Sequence, residues 1–570
     1  MTGILLATLL PFSLFFLLTV IAALQNKNKA KAIIQGAFGL FIIGYIIVFI
    51  ITYIWMPAIT VPNMLLMNAV VGIILGPAMY VGSGTVFNKN TIHKSTPAIV
   101  FFITALAIVA IFVVGIFSVN QTYDSISKQE AGEAKPLNEE NTPISVAPES
   151  ARNKVQKSMS VVPNTQFYDL GKLQVQEVGG EISYVAPVEF TSFWRYFRGK
   201  ETEGYFMIPA TNINAQPEFI ESKMRYTNSS YFNHNIQRQV YGEFPQYLQS
   251  GEAQIEVDNE GKPWYVQTIY KPIPLTNRPD LDKVKVAIVD PVSGEVEAYD
   301  VKEAPDFIEG AVSSELATAE NEYFGKYVHG WFNSIFGKKD VKIPNDSGTE
   351  NSVTPIFGDN GEMYYFTDMA SPKENIDSAL GYTLIDARTG ELTYYNGKQN
   401  NGIMDSKGAR QIVNKQFPEK NWTGSMPVLY NVDGHPTWIV NVLDPNGLFK
   451  RYAYIKANDS DFAVFGETAK ETLTAYRLQL AQDPSNVQGS EGVETTGKSG
   501  VVNRVLVTST DSRQIVQFIL EGDTTIYTVN VSKAPLAIFL REGDHVQMQV
   551  RVRENGPATV EEMVVEELND

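Results

Sequence analysis

The chain runs to 570 residues, with 46 Lys and Arg against 63 Asp and Glu, a formal charge of −17 and no cysteine. The missing thiols exclude disulfide staples, thiolate metal sites and cysteine nucleophiles. The acidic balance argues against a groove that tracks nucleic-acid phosphates, and the length implies several domains.

In chain order, residues 1–119 hold four apolar stretches, Ile4 to Leu24, Ile33 to Ile54, Met64 to Val86 and Ala98 to Val119, without an Asp, Glu or Arg. Each approaches the ~20 residues that a helix needs to cross a bilayer, so 1–119 is expected to form four transmembrane helices. Lys27, Lys29 and Lys31 follow the first stretch, Lys89 and Lys94 follow the third, and the loop from Trp55 to Asn63 is uncharged. The positive-inside rule then places these lysines in the cytoplasm and both termini outside, in a multi-pass cell-membrane protein. With no acid or arginine at membrane depth, the spans read as an anchor or docking surface rather than an ion path.

Residues 120–145, rich in Glu, Lys, Asn, Pro and Ser, lack the large apolar side chains that folding needs and read as a stalk. Beyond it a turn glycine is followed four residues later by an aromatic: Gly180 and Tyr184, Gly261 and Tyr265, Gly361 and Tyr365, Gly434 and Trp438. Asp258 and Asn259, Asp359 and Asn360, and Asp433 precede three of these glycines and suit hairpin turns. A second pattern repeats in register, Asp290, Gly294, Glu295 and Tyr299 against Asp386, Gly390, Glu391 and Tyr395. A helix motif recurs as Ala151, Arg152, Val155 and Lys157 against Ala409, Arg410, Val413 and Lys415, with Ala and Val on one face. A further helix is expected from Ser314 to Phe336, its stripe of Phe324, Tyr327, Val328, Trp331, Phe332 and Ile335 facing a core.

These repeats divide the outer part into four helix-plus-strands units, 146–212, 213–310, 311–402 and 403–482, forming the pairs 146–310 and 311–482. Apolar strand, Asp, Ser or Thr with Gly-Glu, then aromatic strand, best seen at Val286 to Tyr299 and Tyr382 to Tyr395, resembles the PepSY module. That resemblance implies extracytoplasmic modules concerned with inhibition, regulation or protein contacts, and it transfers no catalytic residue. A polar linker, 483–499, leads to residues 500–570, where about five short β-rich runs predict a small barrel similar to OB-like barrels. With six basic residues against eleven acidic ones, that tail is unsuited to nucleic acid.

Catalytic patterns are sparse. His93, His234, His329, His435 and His545 are scattered, with no H-x-x-x-H or H-E-x-x-H pair, and no serine-elbow or phosphate-loop motif occurs. Asp290 with Glu295 and Asp386 with Glu391 read as turn caps rather than acid–base pairs. Trp264, Tyr265, Tyr364, Tyr365, Tyr395 and Trp438 form the candidate binding surface, because adjacent strand residues point to opposite faces.

The expected protein is therefore a four-helix membrane region (1–119), a stalk, extracytoplasmic α+β repeats and a small all-β barrel, located in a bacterial envelope. It is expected to be a non-enzymatic scaffold or regulatory binding protein with no cofactor and no metal. Its expected partners are the bilayer, envelope or membrane proteins and a second copy of itself, not nucleic acid. The alternatives are an accessory subunit of a transport or secretion complex and an envelope hydrolase.

Overall fold

The computed structural model describes residues 8–25, 27–64, 66–68, 70, 71, 109, 112–132, 146–345, 352–358, 361–373, 378–397, 402–482, 495–510, 513–531, 534–551 and 558–568. Near the N-terminus a 3₁₀ turn, Leu10–Phe12, enters α1 (Ser13–Gln25), and a second turn, Lys27–Lys29, enters α2 (Ala30–Trp55). The first turn and α1 pack on α2 where Phe12, edge to face at 5.3 Å, and Phe16, at 5.0 Å, meet Phe41.

Among the described residues α2 is the one helix long and apolar enough to cross a membrane. This corrects the four-helix expectation: a multi-pass region is not supported, and β-strand is the commonest regular structure of the described chain. The physical reason lies in continuity. The 13 residues of α1 span about 20 Å, short of a ~30 Å hydrocarbon core, because the turn holding Pro11 interrupts the first apolar stretch. Most of Met64 to Val86 and of Ala98 to Val119 lies outside the described residues.

The expected stalk is corrected in part. Residues 112–124 are helical, and Lys128–Ala131 form β1, an edge strand. A backbone ladder and hydroxyl bonds order this polar stretch without the apolar burial that composition alone would demand. Residues 133–145 lie outside the described set.

The chain divides into two compact units, the first from Met1–Glu133, Asn138–Gly408 and Asp444–Phe449, the second mainly from Ala409–Leu443 and Lys450–Asp570. Three sheets build the first unit. One is ordered β2 (Tyr168–Leu170), β4 (Glu181–Phe190), β5 (Thr202–Pro209), β6 (Glu218–Met224), with β3 (Gln174–Val178) also on β4. The next runs β11 (Val296–Asp300), β10 (Pro279–Val289), β9 (Pro263–Pro272), β7 (Leu248–Gln249), with β8 (Gln254–Val257) on β9. The third runs β1, β16 (Leu392–Tyr395), β15 (Ala379–Asp386), β14 (Met363–Ala370), β12 (Ile343–Pro344), with β13 (Thr354–Phe357) on β14.

Each sheet carries a helix whose apolar residues recur at helical spacing. α3 (Pro148–Ser158) buries Ala151 and Val155 against the first sheet, and α5 (Ile236–Glu243) buries Ile236 and Val240 against the second. α6 (Ser314–Lys326) lies on β12 and β14, its first turn capped by the Ser313 hydroxyl, which accepts from Leu316 N. Between α3 and α5, the short α4 (Phe193–Gly199) links β4 to β5. The first two sheets share one core, in which Val185 and Tyr205 meet Ile255, Tyr265, Ile269 and Ala287.

In the second unit, β17 (Thr423–Val432), β18 (His435–Leu443), β19 (Phe449–Lys456) and β20 (Ala463–Gly466) form one sheet. α7 (Ser406–Gln416) packs there through fully buried Ala409 and Val413, and α8 (Ala469–Gln482) through Tyr476, whose hydroxyl meets Thr437 Oγ1 at 2.8 Å. The tail closes as a barrel of β21 (Thr495–Thr510), β22 (Arg513–Leu520), β23 (Tyr527–Asn530), β25 (Ala558–Val565) and β24 (His545–Arg551), in that spatial order. Val516, Phe518, Tyr527 and Val546 fill it.

Candidate functional site

Residues 115–131 act as a strut joining the helix at 112–124 to two sheets of the first unit. The Thr122 hydroxyl donates to Pro279 O (3.0 Å), and Leu281 N donates to Ser125 Oγ (3.0 Å). Arg278 donates through Nη1 to Ser118 Oγ (2.5 Å) and to Gly115 O, and through Nε to the Tyr323 hydroxyl of α6 (3.0 Å). Below these bonds β1 runs parallel to β16, with Lys128 opposite Leu392 and Gln129 Nε2 donating to Thr393 Oγ1 (2.9 Å).

Beside the strut is a cavity of ≈ 410 Å³ lined by Ser127, Leu281, Asp282, Asp300, Glu303 and Glu320, among others. Asp282, Asp300 and Glu303 are exposed at its rim, and Lys285 holds Asp300 at 2.8 Å. Glu320 differs: its side chain is buried, its Oε1 has no hydrogen-bond partner, and burial pushes its pKa well above the usual carboxylate range. A buried carboxyl inside and exposed acidic side chains at the rim suit a small ligand or side chain that donates hydrogen bonds or carries positive charge. The sequence carries a trace of this residue, since Leu316, Glu320 and Phe324 recur every four residues and place an acid on an apolar face.

Two further acids, Glu256 buried and Glu309 half-buried, serve the junction of the sheets. Glu256 accepts from Glu309 N and Gly310 N (both 2.9 Å), while Glu309 accepts from Glu177 N (2.9 Å). Burial raises Glu256 to about 7; burial and the neighbouring Glu256 raise Glu309 to about 9. Arg388 caps the same loop, donating to Ile308 O (2.7 Å) and Pro305 O (3.2 Å). With their oxygens turned onto backbone N–H groups, these carboxyls hold a loop.

The sequence-predicted surface does not assemble. Tyr265, Tyr365 and Trp438 are 0%, 3% and 0% exposed, so they are core. Trp264 is half-buried between the Lys262 ammonium (3.7 Å from its ring) and Phe307, its Nε1 donating to Asp258 Oδ2 (2.9 Å). Tyr395 stacks on Tyr382 at 4.7 Å, and Tyr364 lies half-buried in β14. The alternation rule is obeyed, but both faces of these strands are covered.

The paired acids behave as turn caps: Asp290 Oδ1 accepts from Val292 N and Ser293 N, and Asp386 Oδ1 from Arg388 N and Thr389 N. Glu391 pairs with Lys302 at 2.7 Å. The described histidines do not converge: His234 meets the Tyr196 hydroxyl, His329 meets Asp340, and His545 meets Glu567. Among the described residues no group of three or more His, Asp or Glu is placed to hold a metal.

More aromatic surface is exposed elsewhere. The stripe expected to be core splits: Phe324 is buried, but Phe332 and Ile335 are exposed, as are Trp194, Phe197 and Phe232 near α4.

No protein-family model matches the chain, and no curated protein is similar to it. Among solved structures, a GH43_1 enzyme from Xanthomonas citri is 10% identical over 72% of this chain and 96% of its own, with a TM-score of 0.20. A xylan beta-1,4-xylosidase from Bacillus Halodurans C-125 is 11% identical over 70% of this chain and 56% of its own, with a TM-score of 0.17. Likenesses this weak carry no argument about fold or chemistry, and the reading of this chain rests on its own geometry.

Proposed function

We propose that the chain is a membrane-anchored, extracytoplasmic scaffold or regulatory binding protein of a bacterial envelope, acting non-enzymatically through protein contacts of its sheet units. The strut carries this reading. A soluble module needs no bonded connection to an apolar N-terminal region, whereas Arg278, Thr122, Ser125 and β1 tie residues 115–131 into two sheets at once. Lys27, Lys29 and Lys31 at the start of α2 support a cytoplasmic end there and an exterior end at Trp55. The repeated sheet-and-helix units support the PepSY-like reading, and the barrel's strand order, first, second, third, fifth, fourth, supports the OB-like one. External protease applied to intact protoplasts tests the proposal: the sheet units should be degraded while the chain stays in the membrane fraction. Recovery of a protected chain in the soluble fraction overturns it.

A second reading, an envelope hydrolase, draws on the cavity that joins a buried acid of raised pKa, Glu320, to exposed acidic side chains. Such a pair can divide the roles of general acid and base. Release of fragments from wall polymer by the purified full chain, abolished by Glu320→Gln, supports it; equal release from both, or none from either, removes it.

A further inference from the structure

Two knobs of the first unit share one composition. The first is α4 with its flanks, where exposed Trp194 (69%) and Phe197 (63%) stand beside exposed Phe232 (56%). Arg195, Arg198 and Lys200 lie among the residues of this knob, against the carboxylates of Glu201 and Glu203. The second is the turn at 330–339, where Phe332 (62%), Ile335 (44%) and Phe336 (77%) are exposed ahead of Lys338 and Lys339. In a chain of net charge −17, these are local excesses of positive charge set on aromatic surface.

Both knobs are built rigidly. Phe193 packs against Trp194, Phe197, Tyr231 and Phe232 with ring centroids 5.1 to 6.2 Å apart, and the Tyr196 hydroxyl meets His234 Nδ1 at 3.0 Å. In the second, the Asn333 amide ties the turn to itself, accepting from Lys339 N (3.1 Å) and donating to Lys339 O (2.9 Å). Burial of solvent-shy rings would be the reason for such order in a core, but here the rings point outward.

Each knob also adjoins an apolar N-terminal segment. Tyr196, Phe232 and His234 line a cavity of ≈ 500 Å³ together with Phe49 and Tyr53 of α2, and the Arg238 guanidinium covers the Tyr53 ring at 4.4 Å. Gly330 lies against Asn120, one turn beyond exposed Phe117. The length of α2 sets the height: 26 residues rise about 39 Å against a hydrocarbon core of ~30 Å, and with Lys31 at the cytoplasmic headgroups that core ends near Ile51, leaving Thr52 to Trp55 in the outer headgroup layer. The side chains that share a cavity with Tyr53 therefore stand at the border of that layer.

We infer that the two knobs seat the first unit on the outer leaflet, their aromatic rings in the interfacial layer and their Lys and Arg heads on anionic lipid headgroups. This rests on the membrane-anchor reading of α2 and adds to it a second and third point of contact, which fix the tilt of the sheets. The occupant is lipid, because the apolar surface of the first knob is continuous with α2 and both knobs pair aromatics with cations.

The cysteine-free full chain allows a single spin label at each of four sites: Ile43→Cys on α2, Phe197→Cys, Phe336→Cys, and Val292→Cys on an exposed turn. In phosphatidylcholine vesicles containing phosphatidylglycerol, collision with oxygen relative to a water-soluble nickel chelate should be several-fold higher at 43, 197 and 336 than at 292. A water-exposed label at 43 removes the anchor reading itself. A lipid-exposed label at 43 with water-exposed labels at 197 and 336 overturns this inference alone, and labels at 197 and 336 shielded from both reagents mark a protein contact and overturn it too. Omitting phosphatidylglycerol, or substituting Arg198→Gln, Lys200→Gln, Lys338→Gln and Lys339→Gln together, should raise both labels toward water; no change overturns the headgroup assignment.

Discussion

Arg278 Nη1 donates to Ser118 Oγ across 2.5 Å, and Arg278 Nε donates to Tyr323 across 3.0 Å, so one guanidinium fastens the strut to α6. Charged hydrogen bonds of this kind contribute about 1.5–3 kcal/mol each, with side-chain entropy opposing them. Arg278→Ala should release residues 112–131 without unfolding the sheets. Hydrogen exchange in β1 is expected to accelerate at least tenfold while β9 and β14 stay protected; unchanged β1 protection shows that the strand pairing suffices alone.

Acidification should stabilise the first unit. Glu256 and Glu309 hold their protons more tightly folded, at about 7 and about 9, than the ordinary value of 4.5. The folded state therefore binds more protons than the unfolded one above pH ~4.5, so stability falls as pH rises through 7 and toward 9. For fully buried Glu256 the displacement corresponds to roughly 3 kcal/mol. Glu309→Gln keeps an acceptor for Glu177 N and should flatten the slope above pH 7; an equally steep melting-point profile in the variant contradicts this assignment.

Glu320→Leu should stabilise the first unit at pH 8. The native side chain is buried with an unpartnered Oε1, a cost of about 1–3 kcal/mol that an apolar residue removes. A lower midpoint for the variant in denaturant would mean that Glu320 is paired in solution.

Two glycines should respond differently to alanine. At Gly261 (φ +82) nothing lies within 4 Å of an added Cβ, so Gly261→Ala costs only the left-handed backbone, about 1–2 kcal/mol. At Gly204 (φ +154) the same atom falls 2.0 Å from Ile220 O in the neighbouring strand, and the β5–β6 pairing must shift. Thermal unfolding should show Gly204→Ala as clearly the more damaging; equal losses would mean that β6 moves aside easily.

The hairpin turns were legible because turn geometry is local. Gly180, Gly261, Gly361 and Gly434 all take up φ between +82 and +86, and Asp290 and Asp386 cap their turns alike. The first apolar stretch was misread because apolar counting does not register the turn at Leu10–Phe12 that shortens its helix, while most of the third and fourth stretches lies outside the described residues. The binding surface was misplaced because alternation tells which way Trp264 or Tyr365 points but not what covers that face. Phe197 and Phe336 escaped notice for the converse reason: their short helical stretches resemble core segments until the space around them is known.

The parallel pairing of β1 with β16 sets an order in time. Gln129 meets Thr393, 264 residues later in the chain, so β1 has no ladder partner until β16 is made. At ~5–20 residues per second of synthesis, that wait is on the order of tens of seconds. Throughout it the strand written Lys-Gln-Glu-Ala stands as an open edge, and its charges keep it from recruiting another chain. The final ladder is then a latch, shut only when the third sheet is complete, that fixes residues 128–131 to its last-made strand.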